Sequence, residues 1–265
     1  MVNKYIIKQT RDMIMNNNLN AVHFCLVCFF FFSLIFGCKK KDESEPALQI
    51  DSIYDIDSNV YKTVKIGKNW WMAENLKVVH YRNGKKITSA SYWDTTITGG
   101  VYCSYDNNVN ASGLLYNWYA VIDSNNIAPA GWHIATDEEW KEMEIFLGMS
   151  EADANSIGWR GTDQGNALKR IGPDGWPEPR YDERIRYTVW GNNKSGFDAV
   201  SGGCRLPNGK FSRPSFTNSF WWTSTEKQDT TKQAWYRSLD YRKPNVFRSF
   251  CDFNYGMNIR CVKDK

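Results

Sequence analysis

Thr136-Asp137-Glu138-Glu139-Trp140-Lys141-Glu142-Met143-Glu144-Ile145-Phe146-Leu147-Gly148 carries the clearest helix signature in the chain. Thr136 is an N-cap residue, and Glu139, three positions on, completes a capping box. Asp137, Glu138 and Glu139 occupy the first turn, where the helix dipole favours acids. Trp140, Met143, Glu144 and Leu147 fall on or near one face, and Gly148 ends the element. This helix stands among segments of a different character and makes the fold class α+β.

Working outward, the N-terminal side reads as strands and turns. Tyr61 to Ile66 alternates, Gly67-Lys68-Asn69 turns, and Trp70-Trp71-Met72 returns, which predicts a hairpin over 60–73. Residues 47–58 read as a lead-in. Tyr81 to Ile87 holds an Asn83-Gly84 turn. Leu114 to Val121 is an unbroken apolar and aromatic run, either a strand or a short buried helix. On the C-terminal side, Ser150 caps a second short helix through Ile157, and Asp163 to Arg170 reads as a third. Residues 171–220 are rich in Gly, Pro and Asn and show little period. Trp221-Trp222-Thr223-Ser224-Thr225, Ala234 to Leu239, Val246 to Phe253 and Asn258 to Val262 read as strands. The composition agrees: 12 Trp, 14 Tyr and 14 Phe imply a loop-rich fold whose core is filled by large rings.

The first 45 residues carry a different message. Lys4, Lys8 and Arg11 precede an apolar run from Phe24 to Phe36, followed by Gly37 and Cys38. The run is short for a membrane span, which needs about 20 apolar residues. It has the order of a signal peptide, so residues 1–37 are expected to be removed and Cys38 to carry lipid. Ile35, Gly37 and Cys38 resemble a lipobox, with Phe36 bulkier than the usual residue. Residues 38–54 are expected to be a flexible tether, opening with Lys39-Lys40-Lys41-Asp42-Glu43-Ser44-Glu45-Pro46. A lysine followed by acids after a lipid-bearing Cys resembles the surface-export signal of Bacteroidota lipoproteins. The expected location is therefore the outer membrane, lipid-anchored, at the cell surface.

Removing residues 1–37 takes away Lys4, Lys8, Arg11 and Asp12, and the net charge falls from +4 to +2 over 228 residues. So even a balance, without a basic block interleaved with aromatics, argues against a nucleic-acid partner. Four cysteines remain behind Cys38: Cys103, Cys204, Cys251 and Cys261. An even number in an exported chain predicts two disulfides, with three connectivities open. His80 and His133 lie far apart and no CxxC pair lies behind Cys38, so no metal site and no cofactor are expected.

Several segments together carry a resemblance. They are Asp57 to Gly67, Trp71-Met72-Ala73-Glu74-Asn75-Leu76, Gly113 to Val121, Ala128 to His133, Thr136 to Trp140, Ser195-Gly196-Phe197, Gly202-Gly203, Trp221 to Glu226, Ala234-Trp235-Tyr236-Arg237 and Arg260-Cys261-Val262. Their order and spacing over 55–265 resemble the Fibrobacter succinogenes major paralogous domain family. That resemblance implies a single exported domain with a C-type-lectin-like fold: small twisted antiparallel sheets, two or three short helices and long loops. Cys204 stands where an aromatic is commoner in the family and Cys251 looks extra, which implies pairing of these two and leaves Cys103 with Cys261.

The residues bear on three chemistries: catalysis, calcium binding and sugar binding. The acids Asp137, Glu138 and Glu139 are accounted for by their place at a helix start, and no catalytic constellation emerges. Asp106, Asn108 and Asn110 are spaced like the opening of a calcium loop, but Ala111 and Asn117 break the pattern, so an Asn-rich turn is expected. Trp176, Tyr181 and Trp190, beside Arg180, Arg184, Arg186, Asn192 and Asn193, could present a sugar-binding face, although most of the Trp should be core, Trp221, Trp222 and Trp235 above all. The expected function is non-catalytic binding of a glycan or a surface protein. The alternatives are an oxidase of the formylglycine-generating type, which would show at least two titratable thiols, and a structural subunit of an envelope assembly.

Overall fold

The computed structural model describes residues 47–90, 93–105, 112–176, 191–212, 217–228 and 232–265. The signal peptide, Cys38, most of the tether and the Asp106, Asn108 and Asn110 turn lie outside these residues, as do Arg180, Tyr181, Arg184, Arg186 and Trp190. Residues 48–265 form one compact unit.

The domain is α+β. Strands β1 (Ile50–Tyr54), β2 (Val60–Ile66), β3 (Asn69–Met72), β7 (Trp132–Ile134) and β12 (Cys261–Lys263) make a five-stranded antiparallel sheet in the order β1-β2-β3-β12-β7. A second antiparallel sheet has the order β8-β11-β10-β9, from β8 (Gly158–Arg160), β9 (Asn218–Glu226), β10 (Gln233–Asp240) and β11 (Val246–Asp252). The third joins β4 (Thr88–Ser89), β5 (Val101–Ser104) and β6 (Leu114–Tyr116), with β4 parallel to β5. Among the described residues four short helices complete it: α1 (Trp118–Val121), α2 (Asp137–Phe146), α3 (Glu151–Asn155) and α4 (Gln164–Leu168).

The opening helix is α2. Oγ1 of Thr136 accepts from the Glu139 amide at 3.1 Å, and the Glu139 carboxylate accepts from the Thr136 amide at 2.9 Å. Trp140, Met143 and Glu144 are buried, and Gly148 follows with φ +96°. The 60–73 hairpin is β2–β3, with Val64 opposite Trp71. The run from Leu114 to Val121 is both things at once. It begins as β6, and Asn117 then caps α1 by accepting from the Ala120 amide.

The lead-in and tether need correction. Residues 50–54 are not tether but β1, paired along its whole length with β2. Four of its five side chains are exposed and only Ile53 packs against the core, so the backbone ladder does most of the holding and side-chain pattern could not announce it. Gly158 to Arg160, expected to follow a longer helix, instead pairs with β11 as β8.

Two aromatic cores lie on either side of the second sheet. Side chains alternate across a strand, so Trp221 enters one core with Trp71, Trp140 and Phe197, while Trp222 enters the other with Tyr61, Tyr116 and Trp118. Trp71, Trp140, Phe197 and Trp221 meet mostly edge to face, with centroids 5.3–6.2 Å apart. Trp235, expected in the core, is half-buried. It lies 3.6 Å from the Arg248 guanidinium and edge-on to Phe250.

Charge is buried beside these rings. Asp137 accepts from Arg237 and, through both oxygens, from Arg248, while Glu144 accepts from Arg160 and Arg237. The bonds run from 2.6 to 3.0 Å. Asp137 therefore does more than complement the dipole: it ties α2 to β10 and β11.

Candidate functional site

The chain leaves β3 through Ala73-Glu74-Asn75, and the hairpin end is closed by Glu74, whose Oε2 accepts from the Lys62 amide at 2.7 Å. Asn75 then turns inward. Its Nδ2 donates to Ser112 O at 2.7 Å, and its Oδ1 accepts from Trp221 Nε1 at 2.8 Å and from Arg260 Nε at 2.6 Å. One buried amide thus joins four distant segments, which is possible because Asn has both a donor and an acceptor face.

Gly113 makes room for it. Its φ is +80°, and a Cβ there would stand 2.7 Å from Asn75 Cβ. Asn258 reinforces the same loop by donating to the carbonyls of Ser112 and Leu114. Arg260 reaches under the pocket from the residue before β12. Its Nη1 donates to Met72 O at 2.9 Å and Phe197 O at 2.8 Å, its Nη2 lies 3.4 Å from Asp198 O, and its plane sits 4.4 Å from the Phe197 ring centroid. Burial pushes the guanidinium down to about 9, so it remains a cation at neutral pH.

Above Arg260 lies an open cavity of about 160 Å³. Its wall comprises Ala73, Glu74, Asn75, Lys77, Ser112 and Gly113 on one side, and Arg170, Asp198 and Val200 on the other. Asp198 holds a left-handed backbone, φ +56°, and its carboxylate accepts from Nε and Nη2 of Arg170 and from Asn193 Nδ2. The arrangement can bind a small polar ligand through charge and hydrogen bonds. The described wall holds no nucleophile next to a base.

The residues singled out from sequence go elsewhere. Trp176 is core, 3 % exposed, with Nε1 donating to Ala199 O. Asn193 supports Asp198 rather than facing a ligand. Cys103, Cys204, Cys251 and Cys261 are free thiols, so the two expected disulfides are not formed. The pairing of Cys103 with Cys261 has a geometric obstacle. Cys103 packs with Leu115 on one face of β5–β6, whereas Cys261 belongs to the cluster of Tyr116, which faces the other way. Cys204 and Cys251 share that larger cluster.

An α+β domain of small, mostly antiparallel sheets with a polar pocket between motif segments is the class this geometry defines. The chain belongs to the Fibrobacter succinogenes major domain family, which matches it over residues 64–263. Neither a curated protein nor a solved structure matches the chain. Ala73, Glu74, Asn75, Gly113 and Arg260 all come from segments that carried the resemblance, yet no single one of those segments suggests a site. Only their meeting does.

Proposed function

We propose that this chain is a lipoprotein anchored through Cys38 in the outer membrane, displaying at the cell surface a C-type-lectin-like domain that binds a glycan or a surface protein without catalysis. The observation that carries this reading is the pocket over Arg260. A buried hydrogen-bond hub and a strained backbone at Asp198 fix charged groups around a cavity open to solvent, and pre-fixed polar groups are what a binding site requires. Four free thiols meet the number the oxidase alternative needs, but their burial favours binding. A reactive cysteine needs an exposed, electropositive setting. Here burial pushes Cys204 up to about 11 and raises Cys103, Cys251 and Cys261 as well. A glycan array probed with the detergent-solubilised full chain tests the reading. Discrete binding to a group of related glycans is expected, and a blank array would move the assignment to protein partners.

A further inference from the structure

The charges around the pocket do not balance. Arg170 and Asp198 answer each other in a forked ion pair. Among the remaining groups Glu74 faces two cations, Lys77 and Arg260. Lys77 has no carboxylate partner among the described residues, and its recorded contact is the Tyr61 ring, 5.6 Å away. Arg260 is 1 % exposed, and all its hydrogen-bond partners are neutral: the Asn75 amide and the carbonyls of Met72, Phe197 and Asp198. A buried cation hydrogen-bonded only to dipoles is costly, the Asp198 and Glu74 carboxylates ease it without bonding to it, and an anion arriving beside it offsets more of that cost. Nη2 of Arg260, with two hydrogens and one long contact of 3.4 Å, retains capacity to donate.

Size and lining narrow the ligand. Sites for drug-sized molecules run to roughly 300–1,000 Å³, so a cavity of about 160 Å³ takes one small unit. Among the described residues Ala73 and Val200 are its only apolar side chains and no aromatic ring lines it, so a neutral sugar held by stacking finds no platform among them. Hydroxyl partners are present instead. Oε1 of Glu74 is left over after Oε2 takes the Lys62 amide, and Ser112 lines the same side of the cavity.

Building on the binding-module reading, we infer that this pocket takes a single acidic sugar residue, a uronic acid within a glycan, its carboxylate set against Arg260 and Lys77 and its hydroxyls against Glu74 and Ser112. A peptide C-terminus offers the same carboxylate without the hydroxyls, and the charged, hydroxyl-suited wall favours the sugar.

Calorimetry on the full chain in detergent decides it. The probes are oligoglucuronate and oligogalacturonate, the same oligosaccharides with carboxyls reduced to alcohols, and a short peptide with its C-terminus free or amidated. The acidic oligosaccharides are expected to bind, and carboxyl reduction to weaken them at least about tenfold, the scale of one charged hydrogen bond. Lys77→Gln, at a half-buried site outside the hydrogen-bond hub, should weaken the acidic ligand by a similar factor and leave the melting temperature unchanged. Equal affinity for the reduced oligosaccharides, or indifference to Lys77→Gln, overturns the inference while binding as such stands. Peptide binding without oligosaccharide binding also overturns it, in favour of a protein partner. If none of these probes binds and the glycan array is blank as well, the inference and the glycan half of the functional reading fall together.

Discussion

Arg260 Nε donates to Oδ1 of Asn75 at 2.6 Å, across 185 positions of chain. The same oxygen accepts from Trp221 Nε1, so one carbonyl of one side chain fixes both the floor of the pocket and the register of an aromatic core. Truncation at this point orphans Trp221 Nε1 and Arg260 Nε together, while Asn258 still serves the Ser112 carbonyl.

Asn75→Ala should therefore lower stability by about 3 kcal/mol or more, because each buried partner left unpaired costs roughly 1–3 kcal/mol and one of them is charged. Urea unfolding of the variant measures it. A loss below about 1 kcal/mol would mean that water replaces the amide and that the hub is weaker than its geometry implies.

Glu144 is fully buried between Arg160 and Arg237. Glu144→Ala leaves two arginines without that carboxylate, and breaking a buried pair from one side costs about 3–5 kcal/mol. The variant should melt far below the parent in calorimetry. A replacement of both charge and volume, Glu144→Met with Arg160→Leu, should recover part of that loss, which separates the orphaned charge from simple packing.

Acid should act through Asp137. Burial opposes its ionised form, but Arg248 and Arg237 more than offset this and hold its carboxyl well below the usual range. A depressed folded-state value means that the stabilisation is present above about 3.8 and is lost as pH falls below it. Melting curves between pH 5 and pH 2 of parent and Asp137→Asn should converge toward the acid end. Parallel curves would exclude Asp137 as the acid-sensitive group.

His133 works in the opposite direction. Glu139 accepts from its Nε2 side at 2.8 Å and Asp264 from its Nδ1 side at 2.6 Å. The Glu139 bond raises the imidazole first, burial lowers it, and with Asp264 the net value is pushed up to about 9. For a raised folded-state value the stabilisation is complete below about 6.5 and drains away as pH rises through about 9. The ring is about one-third exposed, so solvent screens the effect and a small slope is expected. NMR titration of the imidazole checks it, and a midpoint near 6.5 would contradict the paired geometry.

Cys204 and Cys251 share a core cluster, where burial first and then the nearby Cys204 disfavour ionisation of Cys251. Mild oxidation of the folded chain, followed by non-reducing peptide mapping, should recover them joined to each other, with Cys103 and Cys261 still reduced. A peptide linking Cys103 to Cys204 would falsify the neighbour relationship.

What could be seen in the sequence was local. The Thr136–Glu139 capping box, the 60–73 hairpin and the Asn83-Gly84 turn each need only a few adjacent residues, and each stands where expected. Trp221 and Trp222 were also legible as core, since a β-prone pair covered on both faces buries both rings. What escaped depends on partners far along the chain. β1 shows four exposed side chains and is a strand only because β2 lies beside it. Trp235 has the same β-prone neighbours as Trp222 but meets Arg248 at the edge of the core. The site was the least legible of all, because Asn75 and Arg260 have no meaning as a pair until the strands bring them together.

The place of β12 has a consequence for how the chain closes its sheet. This strand, at residues 261–263, is inserted between β3 and β7 in the interior of the five-stranded sheet. The hairpin it completes is synthesised almost 190 residues earlier, the separation between Met72 and Arg260. Until β12 has been made, the largest described sheet lacks one of its interior strands, and pairings this remote form slowly. Late closure of this kind leaves that sheet open to proteases until β12 is in place.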